Sequence, residues 1–386
     1  MLCLWPFRHV SIDQRGRIRP CCSWRVEEWE QYNHVDDIVN FNTSSIQDYI
    51  NSTFLKQLQE NMKNDQFPQG GCSDCLNEIS NDRSDRSLLS YGFQKYSMGN
   101  SFRIHDMEIK FGNKCNLGCV MCAPSCSSLL ESEAIQNFET FEAYGFNGKK
   151  SNMQDSSLAW FEREDKMQEL AEFASKSKLI RFTGGEPTVN GYLRKFLGYL
   201  KLHTTDIDLK LTTNGFKIPS SLLEAVSDFK SVWFDFSIDG VGKVNEFVRW
   251  PSKWDSICES IKKCSELPNA SITAKTTLHA LNVHNIGEIC SWVDTNQYIT
   301  EWDINLVWEP IYLRCCLASP QSKQHFVEQV DKYKNNPRCK VIKTGLTALD
   351  NNFDAQQTHD LHQKLDKYLA MLGDIRGIDY KDYIKV

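Results

Sequence analysis

Three cysteines, Cys115, Cys119 and Cys122, stand four and three residues apart in the stretch KCNLGCVMCAP at 114–124. Thiolates grouped this tightly in a long chain read as metal ligands rather than as a disulfide framework. A four-iron cluster takes four ligands, usually cysteines, so three from the protein leave one iron open to a further group. Catalytic zinc also keeps an open position, but typically with histidine among its ligands, and this loop has none. The bland alternative is three unrelated buried thiols.

Three further motifs follow in order. LIRFTGGEP brings Gly184, Gly185, Glu186 and Pro187. The glycines let backbone approach a ligand closely, and Glu186 offers a carboxylate to an ammonium group. LTTNG brings Asn214, and FSIDG brings Ser237 and Asp239, a hydroxyl and a carboxylate suited to sugar hydroxyls. Each alone is more often a turn or cap. Their order along the chain is the informative part.

The elements that position them alternate in type. Strands are expected at 107–112, 179–184, 209–214, 232–239, 272–279 and 304–308, with helices at 160–175, 190–202, 219–228, 254–266 and 284–294. Repeated strand–helix units imply an α/β fold with a parallel sheet and right-handed crossovers. Spacing leaves an open sheet and a partial barrel as alternatives; in both, ligands bind beyond the carboxyl ends of the strands. All four motifs fall there. The expected organisation is 1–100 (cysteine-rich), 101–318 (the strand–helix repeat) and 319–386 (mostly helical). HVSID, QRG and RIRPCC read as a hairpin turning at Gly16, 45–64 reads as one helix, and HDLHQKLDKYLAMLGDIRG reads as a helix with Leu361, Leu365, Tyr368, Leu369 and Leu372 on or near one face.

Cys115-x3-Cys119-x2-Cys122 followed by GGEP, TTNG and SIDG resembles the radical S-adenosylmethionine (SAM) superfamily over 101–318. The resemblance implies a partial (β/α)6 barrel. It also implies a [4Fe-4S] cluster held by the three cysteines, its open iron chelated by the amino and carboxylate groups of SAM. Gly184, Gly185, Glu186 and Pro187 would then meet the methionine end. Ser237 and Asp239 would lie near the ribose with Asn214 close by, and Arg249 would meet the SAM carboxylate. Met121 stands where the family usually carries an aromatic residue near adenine. The implied chemistry is reductive cleavage of SAM to a 5′-deoxyadenosyl radical that removes a hydrogen atom from a substrate, fed by a low-potential donor such as flavodoxin or ferredoxin.

CLWPFRHVSIDQRGRIRPCC and GGCSDC supply a second set: Cys3, Cys21, Cys72 and Cys75, with Cys22 a rival for Cys21. The pattern resembles a SPASM/twitch auxiliary domain, here placed before the barrel, and implies a second [4Fe-4S] cluster; a structural zinc is the alternative. The remaining cysteines read as small buried residues, and His9 and His105 as packed or surface residues. A net charge of -6 argues against a protein whose main business is gripping nucleic acid. Neither a signal peptide nor a run of ~18 apolar residues is apparent, so a cytoplasmic protein without a membrane span is expected. Three functions stay in view: radical modification of a peptide or protein side chain, the same chemistry on a small metabolite such as an amino sugar or nucleotide derivative, and a non-catalytic iron–sulfur or zinc scaffold.

Overall fold

The computed structural model describes residues 3–21, 24, 39–68, 71–72, 104–144, 159–350 and 352–384. Eight strands form one sheet in the order β2-β1-β3-β4-β5-β6-β7-β8. They are β1 (His9–Ile12), β2 (Ile18–Arg19), β3 (Asp106–Lys110), β4 (Leu179–Thr183), β5 (Asp208–Thr213), β6 (Ser231–Ser237), β7 (Ala270–Leu278) and β8 (Glu301–Leu306). Every neighbouring pair is parallel except the β1–β2 hairpin. Gly16 supplies that hairpin's turn at φ +80°. Strands β3 to β8 and the helices between them make the six-unit partial barrel, and β1 extends the same sheet by pairing along β3.

The helices are α1 (Ile46–Asn51), α2 (Thr53–Lys63), α3 (Ser128–Gln136), α4 (Glu164–Ala174), α5 (Gly191–Lys201), α6 (Ser220–Ser227), α7 (Lys243–Val248), α8 (Trp254–Ser265), α9 (Ile286–Thr295), α10 (Pro320–Tyr333) and α11 (Ala355–Arg376), apart from single α-turns and 3-10 segments, the longest of which is Lys340–Ala348. The expected helix over 45–64 is interrupted at Ser52. That residue is extended at φ -62°, ψ 149°, its hydroxyl donating to the Tyr49 carbonyl and accepting from the Leu55 N–H. A serine that bonds the backbone this way ends one helix and caps the next. The carboxyl-terminal helix is longer than expected, capped by Asp354 at one end and by left-handed Gly377 at the other.

The pleat separates two faces. Met107, Ile109, Ile180, Phe182, Leu209, Leu211, Val232, Phe234, Phe236, Ile272 and Ile304 are buried in the core together with apolar residues of the helices. The opposite, inner face carries Glu108, Arg181, Lys210, Asp235, Lys275 and Asp303. These form chains of ion pairs: Arg181 to Asp106 at 2.7 Å, Lys210 to Asp235 at 3.2 Å, and Lys275 to Asp303 at 2.8 Å. Barrels of parallel strands are commonly filled with branched apolar side chains; this one is lined with charge. No helix among the described residues is long and apolar enough to cross a membrane.

Candidate active site at the carboxyl edge of the sheet

The loop that follows β3 is held by backbone bonds to distant segments. Gly118 N–H donates to the Trp250 carbonyl at 2.7 Å and Val120 N–H to the Val248 carbonyl at 2.9 Å. Ser127 donates to the Leu117 carbonyl at 2.6 Å, and Ser128 accepts from the Cys115 N–H at 3.1 Å. From the far end of the chain, the Tyr368 hydroxyl donates to the Val120 carbonyl at 2.9 Å. The cysteine loop is therefore fixed by α7, α3 and α11 together.

The GGEP turn packs directly on this loop. Glu186 N–H donates to the Lys114 carbonyl at 2.8 Å. Gly184 and Gly185 have φ of +78° and +54°, and a Cβ on Gly185 would lie 2.5 Å from the Lys114 carbonyl oxygen. Only glycine tolerates both conditions. Pro187 is buried and starts a short 3-10 turn.

The Glu186 carboxylate, expected to face an ammonium group, is taken up within the fold. One oxygen accepts from Thr188 N–H and the Thr188 and Thr213 hydroxyls, the other from Asn214 N–H. Burial still pushes its carboxyl above the ordinary range. The result ties the end of β4 to the end of β5. Asn214 then reaches the cysteine loop, its amide donating to Asn116 Oδ1 at 2.9 Å and standing 4.0 Å from Cys115 Sγ.

Asp239 and Arg249, expected near the ribose and the carboxylate of SAM, meet each other. Arg249 Nη2 lies 2.7 Å from Asp239 Oδ2, Asp239 Oδ1 accepts from Thr277 N–H at 2.6 Å, and Arg249 Nη1 lies 3.8 Å from Cys119 Sγ. Helix α7, absent from the sequence expectation, makes this possible: Asn245 Oδ1 accepts from Asp239 N–H at 3.0 Å. Ser237 ends β6, half-buried, and Met121 is partly buried against the core.

The sequence reading missed His279, just beyond the end of β7. Its Nδ1 accepts from Leu281 N–H at 3.2 Å, and its buried Nε2 has no partner. Burial, reinforced by Arg249, pushes its pKa down to about 3, so the ring is neutral. The available signal was its place at a strand end, where the other motifs also lie.

A four-iron cluster fits the donor set. Burial raises all three thiol pKa values, to about 12 for Cys115, and Cys119 raises those of both other cysteines. Binding a cationic centre would reverse that by drawing the protons off. Among the described residues, no three His, Cys, Asp or Glu side chains converge as one metal ion requires. A four-iron cube spreads its thiolates over different irons, so it asks for a wider set than one ion does.

Residues 109–293 match the model of the radical SAM superfamily. This chain carries a radical SAM domain. The superfamily is one of enzymes, and its cofactors are a [4Fe-4S] cluster and SAM. A GTP 3′,8-cyclase of Heliobacterium modesticaldum is 28% identical over 118 residues, which are 30% of this chain and 28% of that protein. Streptococcus suis SuiB bound to S-adenosylmethionine is similar at 14% identity and TM-score 0.37, with 73% of this chain and 62% of SuiB covered. The tagged protein anSMEcpe with bound AdoMet is similar at 15% identity and TM-score 0.42, with 61% and 62% covered. The chain thus spans under a third of the curated relative and about three fifths of these two structures.

The second thiol set lies at the other edge of the sheet. Cys3 precedes β1 and Cys21 follows β2, and both strands place these ends beside the amino end of β3. Cys3, Cys21 and Cys72 all pack against one small cluster of Trp24, Leu58 and Met62. Burial pushes the Cys3 thiol up to about 11. Cys22 and Cys75 lie outside the described residues.

Proposed function

We propose that this protein is a radical SAM enzyme that abstracts hydrogen from a polar substrate, in the first instance a peptide or protein side chain. The observation that carries the reading is the convergence of the Cys115–Cys122 loop, the GGEP turn and Asn214 at one sheet edge, above an inner face lined with charge. Cys115, Cys119 and Cys122 would hold a [4Fe-4S] cluster that, with SAM and one electron, supplies a 5′-deoxyadenosyl radical. Gly184, Gly185, Asn214, Ser237 and Met121 line the SAM side. Glu186, with four donors, and the Asp239–Arg249 pair hold that lining rigid, because each buried charge is fixed by neighbours on another strand. Lys210, Asp235, Lys275 and Asp303 would orient a charged or hydrogen-bonding substrate below it.

Cys3, Cys21, Cys72 and Cys75 are proposed to hold an auxiliary [4Fe-4S] cluster. A flavodoxin or ferredoxin would supply the electron. All cysteines among the described residues are free thiols, in keeping with a reducing cytoplasm. A small metabolite is the second reading for the substrate, favoured by the likeness to a GTP cyclase and by an inner face rich in paired charges.

The test is anaerobic. Reconstituted, reduced protein should release 5′-deoxyadenosine from SAM, and none from fully loaded protein would leave only the scaffold reading. Stimulation of that release by the macromolecular fraction of a cell extract supports a peptide or protein substrate. Stimulation by the small-molecule filtrate alone supports the metabolite.

A further inference from the structure

The carboxyl-terminal helix ends in a charge that the superfamily match, over 109–293, does not include. Arg376 is the last residue of α11. Its side chain has no exposure, and its partner Glu133 on α3 has 9%. The pair is bidentate: Nε donates to Glu133 Oε1 at 3.1 Å and Nη2 to Oε2 at 2.9 Å. The guanidinium also lies 4.9 Å over the Trp250 ring. Its Nη1 is buried and has no hydrogen-bond partner. An unpaired donor on a buried cation costs free energy, so something must be meant to meet it.

Its surroundings indicate what. A Cβ on Gly118 would lie 3.0 Å from Arg376 Nη2 and 3.5 Å from Glu133 Oε2. Gly118 has no positive φ among the glycines that do, so the space, rather than the backbone, calls for glycine. The guanidinium fills the side-chain volume of the residue adjoining Cys119. Arg249 also approaches Cys119, with Nη1 3.8 Å from its sulfur. Two buried guanidinium groups, each pinned by its own carboxylate, therefore act on Cys119, one at its sulfur and one at the preceding residue.

We propose that Arg376, brought by the carboxyl-terminal helix, is a positioning and tuning residue of the Cys115–Cys119–Cys122 centre. Its positive charge beside Gly118 and its free Nη1 raise the reduction potential of a cluster held there, and Glu133 sets the size of that effect. Reduction adds a negative charge to the cluster. A buried cation nearby favours that state, and hydrogen bonds to sulfur and local charge are known determinants of cluster potential. This rests on the radical SAM reading.

The experiment is an EPR-monitored potentiometric titration of the SAM-responsive cluster signal in the full-length protein, for wild type, Arg376→Gln, Glu133→Gln and Gly118→Ala. Wild type must first load iron at this loop and show the SAM-responsive signal; its failure to do so would overturn the radical SAM reading itself. Given that signal, Arg376→Gln should disfavour reduction at least tenfold, a shift of about 59 mV to lower potential for one electron. Glu133→Gln should shift the potential upward, because it leaves the guanidinium uncompensated. Gly118→Ala, which displaces the guanidinium without changing any charge, should shift it downward by less. Opposite signs in the first two variants are a signature that loss of packing cannot produce. Unchanged potentials, shifts of one sign in both, or loss of the cluster from both would overturn the proposal.

Discussion

The two thiol groups occupy opposite edges of one sheet, and they are supported differently. Cys115, Cys119 and Cys122 sit on a loop bonded to α3, α7 and α11 and backed by the main core. Cys3, Cys21 and Cys72 gather on a satellite cluster whose fully buried members are Trp24, Leu58 and Met62. A loop locked by the fold keeps its shape whether or not a metal is bound. A small cluster with so little apolar burial would draw part of its folding energy from the auxiliary cluster proposed for its thiols. Loss of a ligand should therefore cost chemistry at the first edge and structure at the second.

The largest expected effect follows from that contrast. Cys119→Ala should abolish 5′-deoxyadenosine release and lower bound iron by about four per chain, the content of one cube. Its far-UV circular dichroism and thermal midpoint should stay close to wild type. Cys72→Ala should lose a similar amount of iron but retain SAM cleavage. Limited proteolysis should then cut it within the first hundred residues far faster than wild type. Equal proteolytic resistance in the two variants would erase the distinction between the edges.

Next in size is Glu186→Ala. It leaves Thr188 N–H, Asn214 N–H and the Thr213 hydroxyl without their acceptor, while the Thr188 hydroxyl keeps the Lys217 carbonyl. Unsatisfied buried donors cost about 1–3 kcal/mol each before relaxation, so a loss of about 3 kcal/mol in urea denaturation is expected, with weaker SAM binding by calorimetry. Stability unchanged within about 1 kcal/mol would show that the carboxylate does not tie β4 to β5.

Asp106 gives a pH dependence. Burial pushes its carboxyl up, but the hydrogen bond and charge of His9 and the Arg181 guanidinium outweigh that, leaving it at about 2 against an ordinary 3.8. A depressed carboxyl pKa stabilises the fold above the unfolded value and loses that contribution as pH falls. About 2 kcal/mol should disappear between about pH 4 and pH 2. Asp106→Asn should flatten the stability profile in that window, which chemical denaturation at stepped pH will read. The smallest effect is Tyr368→Phe, which removes one hydrogen bond to the cysteine loop and should cost about 1 kcal/mol.

Much of this was legible in the sequence because each of the first four barrel strands, β3 to β6, carries a motif at its end. The six barrel strands and the five expected helices, α4, α5, α6, α8 and α9, lie within a few residues of the expected spans, whereas α3 and α7 were not expected. The charged inner face was legible too, but was not read. DLKLTT and VWFDFS alternate apolar with polar residues, whereas a strand buried on both faces reads as a continuous apolar run. What the sequence could not show is long-range pairing. Nothing local to Asp239 announces Arg249, and nothing near Gly118 announces Arg376, which is 243 residues from its partner Glu133. The break at Ser52 was a local choice between two hydrogen-bonding arrangements that an apolar periodicity cannot resolve.

The hairpin β1–β2 is continuous with β3, so the thiols that flank it are mounted on the barrel instead of tethered to it. The strand between the two edges acts as a ruler of about 15 Å, the length of five extended residues. With a cluster at each edge, as proposed above, a substrate lying along the charged inner face would be bracketed by two redox centres at a fixed gauge. An electron leaving one end of it would have a receiver waiting at the other.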